Sequence, residues 1–473
     1  MYLNRNIDKY LSQWADSTDH KPVLLRGARQ VGKSSSVRHL GQRFESFVEV
    51  NFERKPVFKS VFEGDLDVER IVSQLSAICG EPIRPGSTLL FLDEIQECPD
   101  AIMALRFFRE DLPQLHVIAA GSLLEFALNE LPTFGVGRIH SMFMRPLCFD
   151  EFLEATGEQL LLQARNACGV NTPLAEPLYQ KIVRLFREYI MVGGMPEAVC
   201  KWVTTHDFLQ CQQVQDDILI SYEDDFAKYK KRADVALLRA TLRSVAAQLG
   251  RKFVYSAVGS GYKSYQVSQA LDLLSLAGLI IPVTHTNANG LPLGSEVDAN
   301  TRKFFLLDSG ILLRLFNIAF GDIAQITTDI LTATAADLVN KGQIAEQIAC
   351  TELLSYKTPN TRNQLYYWTS KVRNSVAEID FIDSYGMKVL PIEVKAGVQG
   401  GMKSLWAFMR EKRLHLAARC SLENFGTVEY HDAQVDEVRC AVICPLYAMS
   451  MMRECLQSKS DSGSTSSSIS SSK

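Results

Sequence analysis

The segment GARQVGKS, Gly27–Ser34, constrains the fold of this chain more than any other stretch of its length. It reads Gly, four residues, Gly, Lys, Ser, with the apolar run PVLL ahead of it and SSVRHL behind it. Glycines at these two places free the backbone so that N–H groups can turn inward around phosphate oxygens. The helix that follows presents its positive end to the same oxygens. A strand must therefore enter the loop and a helix must leave it, which commits this part of the chain to an α/β sheet. Gly27, Ala28, Arg29, Gln30, Val31, Gly32, Lys33, Ser34 and Ser35 are expected to wrap the phosphates of ATP. Lys33 would bring charge to the β- and γ-phosphates, and Ser34 would hold Mg²⁺.

A catalytic set needs more than a loop. The apolar runs PVLL, FVEVNF, STLLFLDE and HVIAAGS alternate with helical patterns, as expected of buried parallel strands in a doubly wound domain. STLLFLDE ends in Asp93 and Glu94. Asp93 is expected to hold Mg²⁺ through water, and Glu94 to orient or deprotonate the attacking water. HVIAAGS ends at Ser122, which would contact the γ-phosphate or cap the helix that follows. Arg138, after the flexible GVG of FGVGRIHS, is either a surface charge or an arginine finger for phosphoryl transfer. A finger supplied by a second copy would require a homo-oligomer.

The 473 residues are 47% hydrophobic with a net charge of -4, so any attraction to nucleic acid must be local. No apolar run is long enough for a membrane span, and the N-terminus lacks the apolar core of a signal peptide. The 11 cysteines show no CxxC pair; Cys440 and Cys444 read as packed or surface thiols. That pattern fits a cytoplasmic protein better than a disulfide framework or a zinc site. Five segments follow from the patterning: an ATPase core over 1–153, a helical lid over 154–249, and a winged-helix-like unit over 250–299. Then come an α+β domain over 300–456 and a serine-rich tail over 457–473, expected to be disordered.

GARQVGKSS, LLFLDEIQ, IAAGSLL, GVGRIHSMFMRPLCFDEFL and MVGGMPEAV occur in the order seen in a family of bacterial and archaeal AAA+ ATPases. Those proteins carry a C-terminal domain of unknown function, and the resemblance spans nearly the whole chain except the serine tail. It implies ATP contacts from Gly27 to Ser34, Mg²⁺ and water roles for Asp93 and Glu94, and a sensor role for Ser122. It marks Arg138 as a γ-phosphate or finger candidate and puts GGMP, 193–196, in the lid. Ser34–Ser35 stands where a threonine pair is commoner, and Cys148 where serine is usual; Ser34 keeps the hydroxyl that the chemistry needs.

The C-terminal stretch AEIDFIDSYGMKVLPIEVK, 377–395, holds a second constellation. Alternation puts Glu393 and Lys395 on one face of a strand, and a hairpin turn around Ser384–Gly386 brings Asp380 beside Glu393. Glu346, on the helical stretch GQIAEQIACTELL, supplies a further acid. Such carboxylates could bind a divalent metal while Lys395 positions water. The arrangement resembles the restriction-endonuclease-like PD-(D/E)xK core, although Glu378–Ile379–Asp380 departs from its Pro-Asp opening. DNA is the implied partner, to be cut or only bound. Lys252, Lys263 and the basic stretch 228–232 would contact its backbone or remain solvated, while Tyr366, Tyr367 and Trp368 read as strand core. The expected fold is thus α/β: a P-loop AAA+ parallel sheet, a helical lid, a winged-helix-like unit and a nuclease-like domain.

Overall fold

In the computed structural model the phosphate loop leaves a short strand and enters a helix, as its residues require. The structure describes every residue except 123, 131–136, 230–231, 317–340, 371–376, 398–400 and 466–473. Five strands make the first sheet: β1 (Val23–Arg26), β2 (Ser46–Asn51), β3 (Thr88–Asp93), β4 (His116–Ala120) and β5 (His140–Phe143). Their spatial order is β2-β3-β4-β1-β5, and every pairing is parallel. β3 and β4 are buried along their whole length, which is why they read as unbroken apolar runs. Alternation sends Leu25, Phe91 and Ile118 into one core and Leu24, Leu90, Leu92 and Val117 into the other. β5 was not among the expected strands; HSMF offers neither length nor β-branched residues.

The lead-in helix, Asn6–Ala15, buries Ile7, Leu11 and Trp14. Beyond the sheet come helices Gln159–Asn166, Glu176–Val192, Pro196–Thr205, Phe208–Asp225 and Val235–Ala247. Pro196 opens its helix at the one place where a missing N–H leaves no carbonyl unpaired. Helix Ser264–Leu276 is followed by Gly278 at φ +75, the left-handed conformation that glycine commonly supplies just past a helix end.

The second sheet has eight strands: β6 (Ile280–Thr286), β7 (Val297–Leu306), β8 (Leu365–Thr369), β9 (Glu378–Tyr385), β10 (Lys388–Val394), β11 (Leu416–Ser421), β12 (Gly426–Asp432) and β13 (Glu437–Pro445). It is mixed, in the order β12-β13-β11-β10-β9-β8-β6-β7. The winged-helix-like unit expected over 250–299 does not stand apart. β7 crosses its boundary, and β6 pairs in parallel with β8, so the hairpin forms one edge of the larger sheet. Helix Lys341–Ser355 packs against β7 and β10 and buries Ala345, Ile348 and Ala349. The tail also differs from expectation. Helix Met452–Thr465 carries regular structure past 457, anchored by buried Cys455 and Leu456, and 466–473 lie outside the described residues.

A continuous apolar core runs from Val23 of β1 through Phe186 of helix Glu176–Val192 and Ile218 of helix Phe208–Asp225 to Ile392 and Val442 of the second sheet. The first and second sheets are thus packed through shared side chains. All 11 cysteines are free. Among the described residues no helix is long and apolar enough to cross a membrane.

Candidate functional site

The loop from Gly27 to Ser34 lies at the C-terminal end of β1, where parallel sheets place their ligands. Gly27 has φ +146, and an added Cβ would collide with the Met144 carbonyl. Gly32, at φ +102, opens helix Lys33–Gly41. Lys33 is buried and donates from Nζ to the carbonyls of Gly27 at 2.9 Å and Ala28 at 2.7 Å. Burial draws its ammonium down to about 8, against the pull of Glu94 and Asp93. The loop thus holds its own lysine where a phosphate would otherwise take the charge.

Ser34 Oγ donates to Asp93 Oδ1 at 3.0 Å, and Asn51 Nδ2 donates to Asp93 Oδ2 at 3.0 Å. Burial pushes the Asp93 carboxyl up, and the Ser34 hydrogen bond opposes it. Ser34 and Asp93 present facing hard oxygen donors, the class Mg²⁺ takes, so the residues fit that ion. Glu94 follows in a left-handed conformation, φ +52, which turns it away from the strand. Its Oε2 accepts from Gln96 Nε2 at 2.7 Å, from Ser122 Oγ at 3.2 Å and from the Ser122 N–H at 3.3 Å. Strand register therefore joins the predicted Ser34, Asp93, Glu94 and Ser122 around one loop. Ser35 is exposed.

Sequence reasoning missed five residues at this site. Asn51 ends β2 in register with Asp93, a position legible once the strands are paired. Gln96 steadies Glu94. Arg38, one helical turn beyond Ser34, lies 3.8 Å from Asp93 and is paired with Glu49. Asp225, at the end of helix Phe208–Asp225, takes Arg29 at 2.6 Å, and Tyr222 Oη from the same helix donates to the Arg29 carbonyl at 2.7 Å. That helix thereby holds the loop through Arg29, by an ion pair and a hydrogen bond. Lys228, from the expected basic stretch, is spent on Asp225 at 2.9 Å. Residues 230–231 lie outside the described residues.

Two further contacts tie the loop to the rest of the chain. Arg5 donates to the Val31 carbonyl at 2.8 Å and pairs with Glu151, both side chains being buried. An added Cβ on Gly278 would come within 3.2 Å of Ala28. The GGMP turn is held from both sides. Leu147 N–H donates to the Gly194 carbonyl at 2.7 Å, and the Gly194 N–H donates to Asp308 Oδ2 at 2.6 Å. Burial pushes Asp308 up to about 6 although three backbone N–H groups hold it down.

Arg138 does not reach this chain's own loop. It precedes β5, whose first residue, His140, pairs with Val23 at the start of β1, and the loop leaves the other end of β1. Its Nε donates to Glu110 at 3.0 Å on an exposed surface. The parallel run of β5 and β1 dictates this placement.

In the second sheet, Ile392 pairs with Phe381, which sets Glu393 and Asp380 one step further on. The Val394 N–H donates to Asp380 Oδ2 at 2.7 Å, and Lys395 Nζ is paired with Glu393. Lys303, on β7, was not anticipated. Its side chain is fully buried and paired with Glu378, with Glu346 at 3.5 Å. Its ammonium also lies 4.9 Å from the Tyr367 ring centroid. Burial pushes Glu346 up to about 8 and Glu393 up to about 7, and the Asp380 charge adds to both. Among the described residues, no group of three His, Cys, Asp or Glu side chains is disposed to hold a metal ion. Glu346 and Glu393 instead each face a lysine ammonium, Lys303 and Lys395, while Asp380 accepts from a backbone N–H. Lys252 and Lys263 are exposed. Tyr367 and Trp368 are buried in the strand, as expected.

Residues 19–153 match the family model described as AAA domain. Residues 183–321 and 341–446 each match a domain of unknown function, DUF8612 and DUF4143. No curated protein matches the chain. Among solved structures, the chain is similar to the Walker-type ATPase PABY2304 of Pyrococcus abyssi, at 16% identity and TM-score 0.42, over 67% of this chain and 96% of that one. It is also similar to the Aeropyrum pernix ORC1 protein solved in complex with DNA, at 14% identity and TM-score 0.29, over 69% of this chain and 95% of that one. Both likenesses are too remote for function to be carried across. The matched family and the loop geometry agree on the N-terminal part: it is a P-loop ATPase domain of the AAA type.

Proposed function

We propose that the protein is a Mg²⁺-dependent ATPase whose nucleotide state is read by its lid and C-terminal sheet. The observation that carries this reading is the set Ser34, Asp93, Glu94 and Ser122 around one phosphate loop. Lys33 would leave the Gly27 and Ala28 carbonyls for the β- and γ-phosphates. Ser34 and Asp93 would hold Mg²⁺, which offsets phosphate charge when bound. Glu94, steadied by Gln96, would accept the proton of the attacking water, and Ser122 would sense the γ-phosphate. Arg138 would act only toward a second copy of the chain, which makes a homo-oligomer part of the proposal. The lid, 154–249, would transmit the change through Asp225 and Arg29. With 11 unpaired thiols, the protein suits a reducing cytoplasm.

For the C-terminal part we propose DNA binding on a nuclease-like domain, with exposed Lys252 and Lys263 among the backbone contacts. A non-cleaving regulatory switch is the version favoured by Lys303, whose ammonium sits among the carboxylates that cleavage would need. Two measurements test the whole. Glu94→Gln should lower ATP turnover by about 10²–10³-fold while ATP still binds; undiminished turnover would sink the catalytic assignment. DNA cleavage is then assayed with Mg²⁺ or Mn²⁺, with and without ATP. Cleavage that is lost in Glu393→Ala would replace the switch by a nuclease.

A further inference from the structure

A cavity of about 460 Å³ lies between the ATPase sheet and the C-terminal sheet. It shares Gly27, Ala28, Val31 and Ser122 with the phosphate-loop site but is not lined by Lys33 or Asp93, so it adjoins the nucleotide site and opens away from it toward the second sheet. Much of its wall is apolar, with Leu276, Ile281, Pro282, Leu354 and Leu365 facing inward. Three arginines also line it: Arg145, Arg302 and Arg362. Arg302 is paired with Asp272, and Arg362 with Glu125. Among the described residues the Arg145 guanidinium has neither a hydrogen bond nor an ion pair.

Among the described residues, the carboxylates that line the cavities have other partners. Glu125 already serves Arg26 and Arg362, and Asp308 accepts from backbone N–H groups. A second cavity of about 320 Å³ adjoins Arg145 on its other side and contains Asp150 and Glu151. Those are committed to Arg165 and Arg5. Burial draws the Arg145 guanidinium down to about 10, opposed only slightly by the Cys350 thiol. Arg145 is half-buried; a guanidinium remains charged in any protein, and a charge drawn partly out of water is ordinarily paired. This one keeps its exposed face toward the cavities.

We propose that the larger cavity binds an organic anion, a carboxylate, sulfonate or monophosphate on an apolar body, with its anionic group on Arg145. The planar fork of arginine suits such oxyanions. The volume lies within the about 300–1,000 Å³ range usual for small-molecule sites. An occupant would touch the phosphate loop at Gly27 and Ala28 on one side and β8 at Leu365 on the other, bridging the two sheets. The inference does not depend on ATP hydrolysis.

The probe is 8-anilinonaphthalene-1-sulfonate, read by its fluorescence with ADP saturating the nucleotide site. Its neutral counterpart, N-phenyl-1-naphthylamine, is run in parallel. Arg145→Met should weaken the sulfonate by about tenfold or more and leave the neutral probe unchanged, while Arg145→Lys restores most of the affinity. Without any probe, Arg145→Met should raise the melting temperature, because a desolvated unpaired charge is replaced by an apolar chain of similar length. Equal sulfonate affinity in the wild type and Arg145→Met would overturn the proposal. So would a fall in melting temperature, which would mean that the guanidinium is already satisfied within the fold.

Discussion

Replacing Lys303 by methionine tests the claim that its ammonium, and no divalent ion, neutralises the C-terminal acids. The side chain is fully buried between Glu346 and Glu378, with the Asp380 charge also acting on it. Lys303→Met keeps most of the chain length and removes the charge, which strands the carboxylates. Breaking a buried pair by removing one partner costs about 3–5 kcal/mol. The cost must depend on pH. Glu346 is raised to about 8 in the fold, so it binds a proton there in a range where the unfolded chain has released it. Proton binding by the folded state lowers its stability as pH rises from the unfolded value toward the folded one. Without Lys303 the carboxyls rise further, so the mutant's deficit should approach the full figure near pH 8.5 and shrink to about 1 kcal/mol near pH 5. Urea unfolding at both pH values measures it. Added Mn²⁺ should recover part of the loss at the higher pH in the mutant and do nothing comparable for the wild type. Equal losses at both pH values, with no recovery by Mn²⁺, would refute the reasoning and leave Lys303 a packing partner of Tyr367.

Gly27→Ala forces a Cβ into the Met144 carbonyl at a left-handed φ, so it should abolish binding of a fluorescent ATP analogue and lower the melting temperature. Arg138→Ala should leave ATP affinity unchanged and lower turnover at high protein concentration by about 10³-fold; equal loss at all concentrations would exclude a partner copy. Glu393→Gln should flatten the fall in stability between about pH 4.5 and 7, because the wild-type carboxyl is raised to about 7. A wild-type unfolding profile already flat across that range would contradict the buried acid cluster.

The ATPase half was legible because its signals are local. Glycines at 27 and 32 can serve one kind of loop, and the buried β3 and β4 announce themselves as apolar runs. Ser34, Asp93, Glu94 and Ser122 each end or follow a recognisable element, so strand order alone brings them together. The place of Arg138, away from this chain's own loop, could not be read because it depends on the direction of β5, a four-residue strand with no apolar signature. Lys303 was missed for a related reason. A lysine in a strand reads as solvated until a distant helix and strand close over it, and Glu346 and Glu378 come from those elements. The winged-helix reading had no means of seeing β7 pair with β6 across its boundary, or β8 beside β6.

The same long-range contacts bear on how nucleotide state could be felt at a distance. Gly194 cannot carry a side chain, since a Cβ there would strike Leu147, and its two hydrogen bonds run to opposite halves of the molecule. Leu147 follows β5 on the ATPase side, and Asp308 follows β7 on the C-terminal side. A shift of the loop that moves Arg29 pulls on Asp225, and helix Phe208–Asp225 packs in turn on the short helix Ser309–Leu315, which Asp308 caps. Two routes therefore converge on Asp308, one through the GG turn and one through the lid helix. Because a close-packed interior passes a displacement on to its neighbours, the C-terminal sheet cannot stay indifferent to the phosphate loop while both routes hold. Asp308→Ala cuts both while leaving the loop, Asp93 and Glu94 untouched. It should therefore preserve ATP binding and abolish any nucleotide-dependent change in hydrogen exchange on β8 to β10; an unchanged nucleotide response would show that the coupling, if present, runs elsewhere.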